Sequence, residues 1–343
     1  MTSATAGVSY ADVERARERI AGLVDPSPVI RSPELSDRLA VPVWLKLESL
    51  QPPGSFKVRG AASKILALTQ EQRRGGVIAC SGGNHGASVA YIARRLGIPA
   101  TICVPETVDL VKLRSIQASG AEAIVEGRTY DDAVEVAQRI ERERGLSFVH
   151  PFDDPDVIAG QGTIGLELAE QVPGLAAAVA AVSGGGLIGG LGIALKGSAL
   201  KGRALKGRAL GGPAPVRVIG ASAQNAAAMV ASLQAGHPVD IPYQDTLAEV
   251  LGGGIGLDNR WSMAAVRDFV DQHVLVSEAE IAAAMLFLLG THRLVAEGGG
   301  AVGVAAALAG RLPVPETGLD GPLAIVVSGG NADPAAILAL RTS

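Results

Sequence analysis

One lysine stands where a free amine could do chemistry. Lys57 lies within SLQPPGSFKVRGA, residues 49–61. A strand-like run precedes it, two prolines and a glycine bend the chain, and a helix opens with Ser55 as its N-cap. Lys57 then sits in the first turn of that helix, with Phe56 beside it, on the ligand side of a sheet. An amine so placed forms a Schiff base if burial lowers its pKa and frees the lone pair. A solvated lysine near a helix start is the competing interpretation, and for a lone lysine it would prevail.

Three glycine-rich turns give Lys57 company. The first is Ser81-Gly82-Gly83-Asn84-His85-Gly86, directly after a strand-like run ending at Cys80. Small residues there let backbone N–H groups approach an anion at a helix N-terminus. The second, Ser183-Gly184-Gly185-Gly186-Leu187, also joins a strand to a helix. It suits a phosphate nest, because successive free N–H groups add to the helix dipole. Residues 184–189 also fit the dinucleotide pattern GxGxxG, which needs an acid about twenty residues later to hold a ribose. No Asp or Glu occurs between Glu170 and Asp240, so a phosphate of another kind is the better anion. The third, Ser328-Gly329-Gly330-Asn331, follows the last strong strand.

These turns need elements to hold them. Apolar periodicity predicts a first helix from residue 10 to about 23, started by a capping box of Ser9 and Asp12. Strands are expected at 43–48, 76–80, 100–104, 123–125, 178–182, 216–220 and 323–327. Helices are expected at 56–68, 85–96, 110–118, 130–144, 157–171, 187–195, 223–235, 275–289, 301–308 and 333–340. Short strands alternating with helices imply an α/β fold of parallel sheets covered on both faces. Ligands in such folds bind where strands end and helices begin, which is where the glycine turns fall. From Ala194 the chain repeats ALKGS, ALKGR, ALKGR, ending near Gly212. The period is far below a solenoid unit, and the stretch is expected to be an expanded surface connection.

Composition narrows the function classes. The chain has 343 residues, enough for one large domain or two of moderate size, and 48% are hydrophobic, enough for a sizeable core. A net charge of −4 gives no strong pull toward nucleic acid or anionic membrane. No apolar run is long enough to span a bilayer, and the N-terminal residues lack a signal-peptide core. Cys80 and Cys103 show no CxxC spacing and are expected to be small buried residues rather than zinc ligands or a disulfide. A cytoplasmic protein is expected.

Taken together, the strings resemble one family, the fold-type II pyridoxal-phosphate enzymes of the threonine dehydratase and serine racemase group. Residues 49–61 resemble its cofactor-lysine motif, and HPFDDPDVIAGQGTIGLE, residues 150–167, is similar to threonine dehydratases almost throughout. LVAEGGG, residues 294–300, resembles their late helix-start motif. The resemblance covers about Tyr10 to Leu340. It implies a two-domain fold, tryptophan synthase β-like, with residues 1–69 and 150–343 as a large cofactor domain and 70–149 as a small substrate-loop domain. It implies pyridoxal 5′-phosphate as cofactor, held by Phe56, Lys57, Asn84, Ser183, Gly184, Gly185, Gly186, Leu187, Glu297 and Ser328. In it Asn84 meets the ring oxygen, the glycine turn the phosphate, and Ser328 the pyridine nitrogen. A hydroxyl leaves that nitrogen largely unprotonated, a weaker electron sink that favours prompt β-elimination. Ser81, Gly82, Gly83, Asn84 and His85 are implied to hold the substrate carboxylate. The implied reaction takes L-threonine or L-serine to a 2-oxo acid and ammonia, in a homodimer with a small amino acid as its partner and neither nucleic acid nor membrane.

The sequence departs from the family in four places. Racemases of the group carry a serine where Gly82 stands, so racemisation is not expected. Members that bind a divalent cation have an acid where Ser222 stands, so no such metal site is expected. The regulatory C-terminal domain of biosynthetic members has no counterpart before Ser343, so isoleucine feedback is not expected. Residues 247–260, LAEVLGGGIGLDNR, resemble instead the dehydratase-like proteins of hydroxyectoine utilisation, which act on a cyclic hydroxylated substrate. A pyridoxal-phosphate-binding protein without catalysis is a further alternative, opposed by the intact Lys57, Asn84 and Ser328.

Overall fold

A computed structural model describes residues 7–205, 216–312, 319 and 321–341. Among them are two sheets. The larger has the order β1 (Val29–Arg31), β2 (Val43–Leu47), β10 (Leu323–Val327), β7 (Ala177–Ala181), β8 (Arg217–Ala223), β9 (Gln272–Val276). Only its edge pair β1–β2 is antiparallel. The smaller has the order β5 (Glu122–Val125), β4 (Ala100–Val104), β3 (Val77–Cys80), β6 (Ser147–Phe148), all parallel. Strands β3, β7 and β10 are buried at every position, as strands covered on both faces must be.

The sheet order decides where the site lies. Strands β2, β10 and β7 are neighbours and run the same way. Their carboxyl ends therefore bring the Lys57, Ser328 and Ser183 turns to one edge of the large sheet. Strand β3 delivers the fourth turn, at residues 81–84, from the small sheet.

Helices follow the strands. In chain order they are α1 (Tyr10–Ile20), α2 (Pro33–Leu39), α3 (Lys57–Ala67), α4 (Gln70–Gly75), α5 (Asn84–Leu96), α6 (Leu110–Ala118) and α7 (Tyr130–Arg144). Then come α8 (Pro155–Gln171), α9 (Gly186–Leu205), α10 (Ala228–Ala235), α11 (Ser262–Phe269), α12 (Glu278–Phe287), α13 (Gly298–Leu308) and α14 (Pro334–Ala339). The capping box of Ser9 and Asp12 starts α1 as expected, though the helix stops at Ile20. Helices α3 and α8 touch through glycine. A Cβ on Gly160 would lie 2.6 Å from the Arg59 carbonyl oxygen, and one on Gly60 would lie 2.3 Å from Gln161 Nε2. Only glycine admits so close an approach, and it seats the Lys57 helix directly on α8. No helix among the described residues is long and apolar enough to cross a membrane.

Several local expectations are corrected. The expected N-cap Ser55 does not cap α3; Phe56 occupies that position, and the Ser55 hydroxyl is buried without a partner. The backbone reason is a bridge between Ser55 and Gly329, which commits Ser55 to extended pairing. The helix expected at 275–289 begins only at Glu278, because residues 272–276 pair with β8 as an edge strand. The helix expected at 223–235 starts at Ala228, since β8 runs on through Ala223 and a 3-10 turn follows. The repeat is not a surface connection at its start. Helix α9 continues through it to Leu205, with Ala194 and Leu195 buried and Gly197 against Tyr10. Ala, Leu, Lys and Arg are strong helix formers, and the spaced glycines do not overcome them. The rest of the repeat, from residue 206, lies outside the described residues. Cys80 and Cys103 are free and buried side by side in register on β3 and β4, as small core residues.

Candidate active site

Lys57 opens α3, two residues beyond the bridge that ties Ser55 to Gly329. The Phe56 N–H also donates to the Ser328 carbonyl at 3.0 Å, so the lysine turn is pinned to the end of β10. The side chain is half-buried. Its Nζ donates to the Pro151 carbonyl at 2.6 Å and lies 5.3 Å from the Phe56 ring centre. Burial lowers its pKa to about 8, against a smaller opposite pull from Glu297. The condition set by the sequence, an amine partly freed by burial, is therefore met.

Glu297 stands at the N-cap position of α13, makes no side-chain capping bond there, and reaches across to α5. Asn84 Nδ2 donates to Glu297 Oε1 at 2.5 Å, while Asn84 Oδ1 accepts from Asn331 Nδ2 at 2.7 Å. Asn84 is thus held at both ends of its amide. Burial pushes the Glu297 carboxyl up to about 7, despite the Asn84 bond and the nearby Lys112 and Lys57.

The remaining expected residues fall around this pair. The 81–83 turn is half-buried, and the Gly83 N–H donates to Ser81 Oγ at 3.2 Å. A Cβ built on Gly83 meets nothing within 4 Å, so open space borders this turn. Gly185 has φ +86, a left-handed conformation that favours glycine, and Gly184 and Gly186 lie under Phe152, where any Cβ would collide. The first-turn N–H groups of α9, at Gly186 and Leu187, have no partner within the helix, while the Leu187 side chain belongs to the core. The Ser183 hydroxyl donates to the Leu251 carbonyl at 3.2 Å, and the Ser328 hydroxyl to the Gly299 carbonyl at 3.4 Å.

His85 turns its side chain elsewhere. It is buried, its Nε2 donates to the Val149 carbonyl at 2.7 Å, and burial lowers its pKa to about 3, so it is neutral. The Ser222 hydroxyl donates to the Val182 carbonyl at 2.7 Å.

One group of residues was not assigned a role from sequence. Residues 149–153 cross between the sheets as a strap. Val149 takes the His85 bond and Pro151 the Lys57 bond. His150 Nδ1 accepts from the backbone of Phe152 and Asp153. Asp153 accepts from three successive N–H groups at the start of α11, those of Arg260, Trp261 and Ser262. The only signal was the string HPFDDP itself, which shows turn residues but not their partners.

Pyridoxal phosphate presents an aldehyde, a phosphate, a ring oxygen and a ring nitrogen. The chain offers a lysine of lowered pKa, a glycine cradle at a helix N-terminus, an anchored amide and a serine hydroxyl, with open space beside Gly83. These residues fit the group. The family profile described as "Pyridoxal-phosphate dependent enzyme" matches residues 20–329. The chain belongs to that family. It is 41% identical to the L-threonine ammonia-lyase of Thermotoga maritima over 326 residues, covering 95% of this chain and 76% of the relative. The T.th. threonine deaminase superimposes with a TM-score of 0.80 at 36% identity, covering 95% of this chain and 99% of that one. Maize serine racemase superimposes with a TM-score of 0.86 at 31% identity, covering 98% and 97%. The chain is therefore a fold-type II pyridoxal-phosphate enzyme.

Proposed function

We propose that the protein dehydrates and deaminates L-threonine or L-serine by β-elimination, giving a 2-oxo acid and ammonia. The observation that carries this is Lys57, a lysine of lowered pKa at the start of α3, whose turn is tied to Ser328 and Gly329 after β10 and whose amine feels the Glu297 carboxyl. Bound pyridoxal phosphate would supply an electron sink for the substrate α-carbon. Lys57 would hold the cofactor and, once displaced by substrate, take the α-proton on Nζ. The N–H groups of Gly184, Gly185, Gly186 and Leu187, with the Ser183 hydroxyl, would hold the phosphate; Phe56, Asn84, Glu297 and Ser328 would border the ring. Ser81, Gly82 and Gly83, leading into Asn84, would hold the substrate carboxylate. His85 would serve them by fixing the start of α5 rather than by direct contact.

Similarity to the threonine ammonia-lyase and threonine deaminase supports this substrate class. A second reading, a cyclic hydroxylated substrate such as hydroxyectoine, rests on the resemblance of residues 247–260, a segment that adjoins the glycine turn where Leu251 accepts the Ser183 bond. A ketoacid assay across threonine, serine, hydroxyaspartate and hydroxyectoine tests both. Turnover of hydroxyectoine alone would replace the first reading with the second. Pyridoxal-phosphate absorbance with no turnover of any of them would make the chain a binding protein. Loss of that absorbance in Lys57→Ala is expected in every case.

The two-domain division, residues 1–69 with 150–343 and residues 70–149, is supported by the small sheet's strands all falling between 77 and 148. The family resemblance supports a cytoplasmic homodimer; light scattering after size exclusion measures the assembly.

A further inference from the structure

The Lys57 helix carries a second cation that the reading above leaves unused. Arg59 is 1% exposed, and its guanidinium is fully engaged. Nε and Nη2 donate to Glu48 at 2.8 and 2.9 Å. Nη1 and Nη2 donate to Glu167 at 2.5 and 2.9 Å, and Nη1 also to Thr163 Oγ1 at 3.0 Å. Glu48 begins the 3-10 turn after β2, and Thr163 and Glu167 lie on α8. On the far side Lys46 Nζ donates to Glu167, to the Ser27 carbonyl and to Gln171, none of them on α3. Two buried carboxylates thus face two buried cations.

Such a cluster gives little net stability, because desolvating each ion costs several kcal/mol and packed apolar residues could fill the volume as well. What it supplies is direction. A guanidinium bonded to two carboxylates on two elements fixes a plane and a distance. Residues two apart on a helix point to nearly opposite faces, so clamping Arg59 sets where Lys57 points. The acceptor of the Lys57 amine, Pro151, lies on the strap that leads into α8, the helix that also carries Thr163 and Glu167. Helix α8 therefore locates both the clamp and the amine's partner.

We propose that Arg59 is a positioning residue for Lys57: held between Glu48 and Glu167, it fixes the rotation of α3 and with it the placement of the lysine amine against the Pro151 carbonyl. It acts through the helix and does not reach the reacting atoms. The proposal rests on Lys57 being the working amine, as the proposed function has it.

The test measures Lys57 in the full chain without cofactor, by reductive methylation with formaldehyde and dimethylamine–borane, following the Lys57 peptide by mass spectrometry against pH. The groups facing the amine, Glu297, His85 and His150, stay unchanged in every variant. In Arg59→Met the methylation midpoint should rise from about 8 toward that of a free lysine. In the holoenzyme kcat should fall by about a hundredfold, the size of effect a small misplacement produces, with KM little changed. Lys46→Met, in the same cluster but without a bond to α3, should lower Tm yet leave the Lys57 profile alone. Arg59→Lys, which cannot bridge two carboxylates, should fall between, and it decides the matter if Arg59→Met does not fold. Arg59 variants that lose Tm but keep the wild-type Lys57 profile and kcat overturn the proposal. If the wild type turns over no hydroxy amino acid, the proposed function fails, while the methylation profiles still decide the role of Arg59.

Discussion

Asn84 and Glu297, 213 residues apart in the chain, are joined amide to carboxyl at 2.5 Å, one at the start of α5 beside the small sheet and the other at the start of α13 beside the large one. The carboxyl is buried, and burial raises its pKa from 4.5 to about 7. Between those values the unfolded chain releases a proton that the folded chain keeps. The stability this group allows is therefore complete below about pH 4.5 and declines as pH rises through about 7. Glu297→Gln keeps an acceptor for Asn84 but carries no charge, so its Tm should fall less than that of the wild type between pH 5 and pH 8. Parallel Tm curves for the two proteins would show that the carboxyl is ionised throughout.

Lys57 titrates in the opposite sense. An amine with a pKa near 8 is mostly protonated below that pH and reactive above it. Capture of pyridoxal phosphate by the cofactor-free protein, followed by absorbance in a stopped-flow instrument, should speed up about tenfold per pH unit on the acid side and level off above about 8. A rate still climbing near pH 10 would mean an ordinary exposed lysine.

The glycine turns and the capping box at Ser9 were legible in the sequence; features set by distant partners, the pairing of Ser55 among them, were not. The turns at Lys57, Ser81, Ser183 and Ser328 lie at strand ends as expected, because glycine and small polar residues state local geometry. The strand QHVLV, residues 272–276, was not expected, and its last two residues were read as the start of a helix, since a short apolar segment has no decisive period. Its identity comes from β8, to which it pairs. Asn84 was expected as a site residue, but its bonds to Glu297 and Asn331 join loops far apart in the chain and had no signal in the sequence. The Arg59 cluster was visible only as charges in apolar runs, Lys46 in VWLKL and Glu167 in IGLEL.

Gly82 bears on the stereochemistry of the reaction. Racemisation needs a proton donor on the face opposite Lys57, within roughly 3 Å of the α-carbon. Glycine has none, and the neighbouring His85 is neutral, buried and bonded to Val149. The wild type should release pyruvate from L-serine without D-serine, as chiral chromatography measures. Gly82 is not in a left-handed conformation, but a Cβ there would lie 3.1 Å from Val108 Cγ2. Gly82→Ser is therefore sterically accessible after a small shift of Val108, and slow D-serine formation is expected from it. D-serine from the wild type at a rate comparable to pyruvate would refute this account.

Gly160 sets the spacing of α3 and α8. A methyl group there would meet the Arg59 carbonyl at 2.6 Å and Ser63 Cβ at 2.7 Å. Gly160→Ala gains about 1 kcal/mol of helix propensity, but overpacking costs about 1–3 kcal/mol, so net destabilisation is expected in urea unfolding. Unchanged or greater stability would mean that the two helices separate freely.

The parallel neighbour of β2 in the large sheet is β10, although most of the chain lies between them. The bridge of Ser55 to Gly329 and the bond from Phe56 to Ser328 are made across that span. During synthesis, then, the lysine turn emerges early but lacks its pairing strand until the ribosome has released residue 329. Contacts of such sequence separation form slowly, so cofactor capture should be a late event in the life of the nascent chain, and a chain stalled before β10 should leave Lys57 an unpositioned amine.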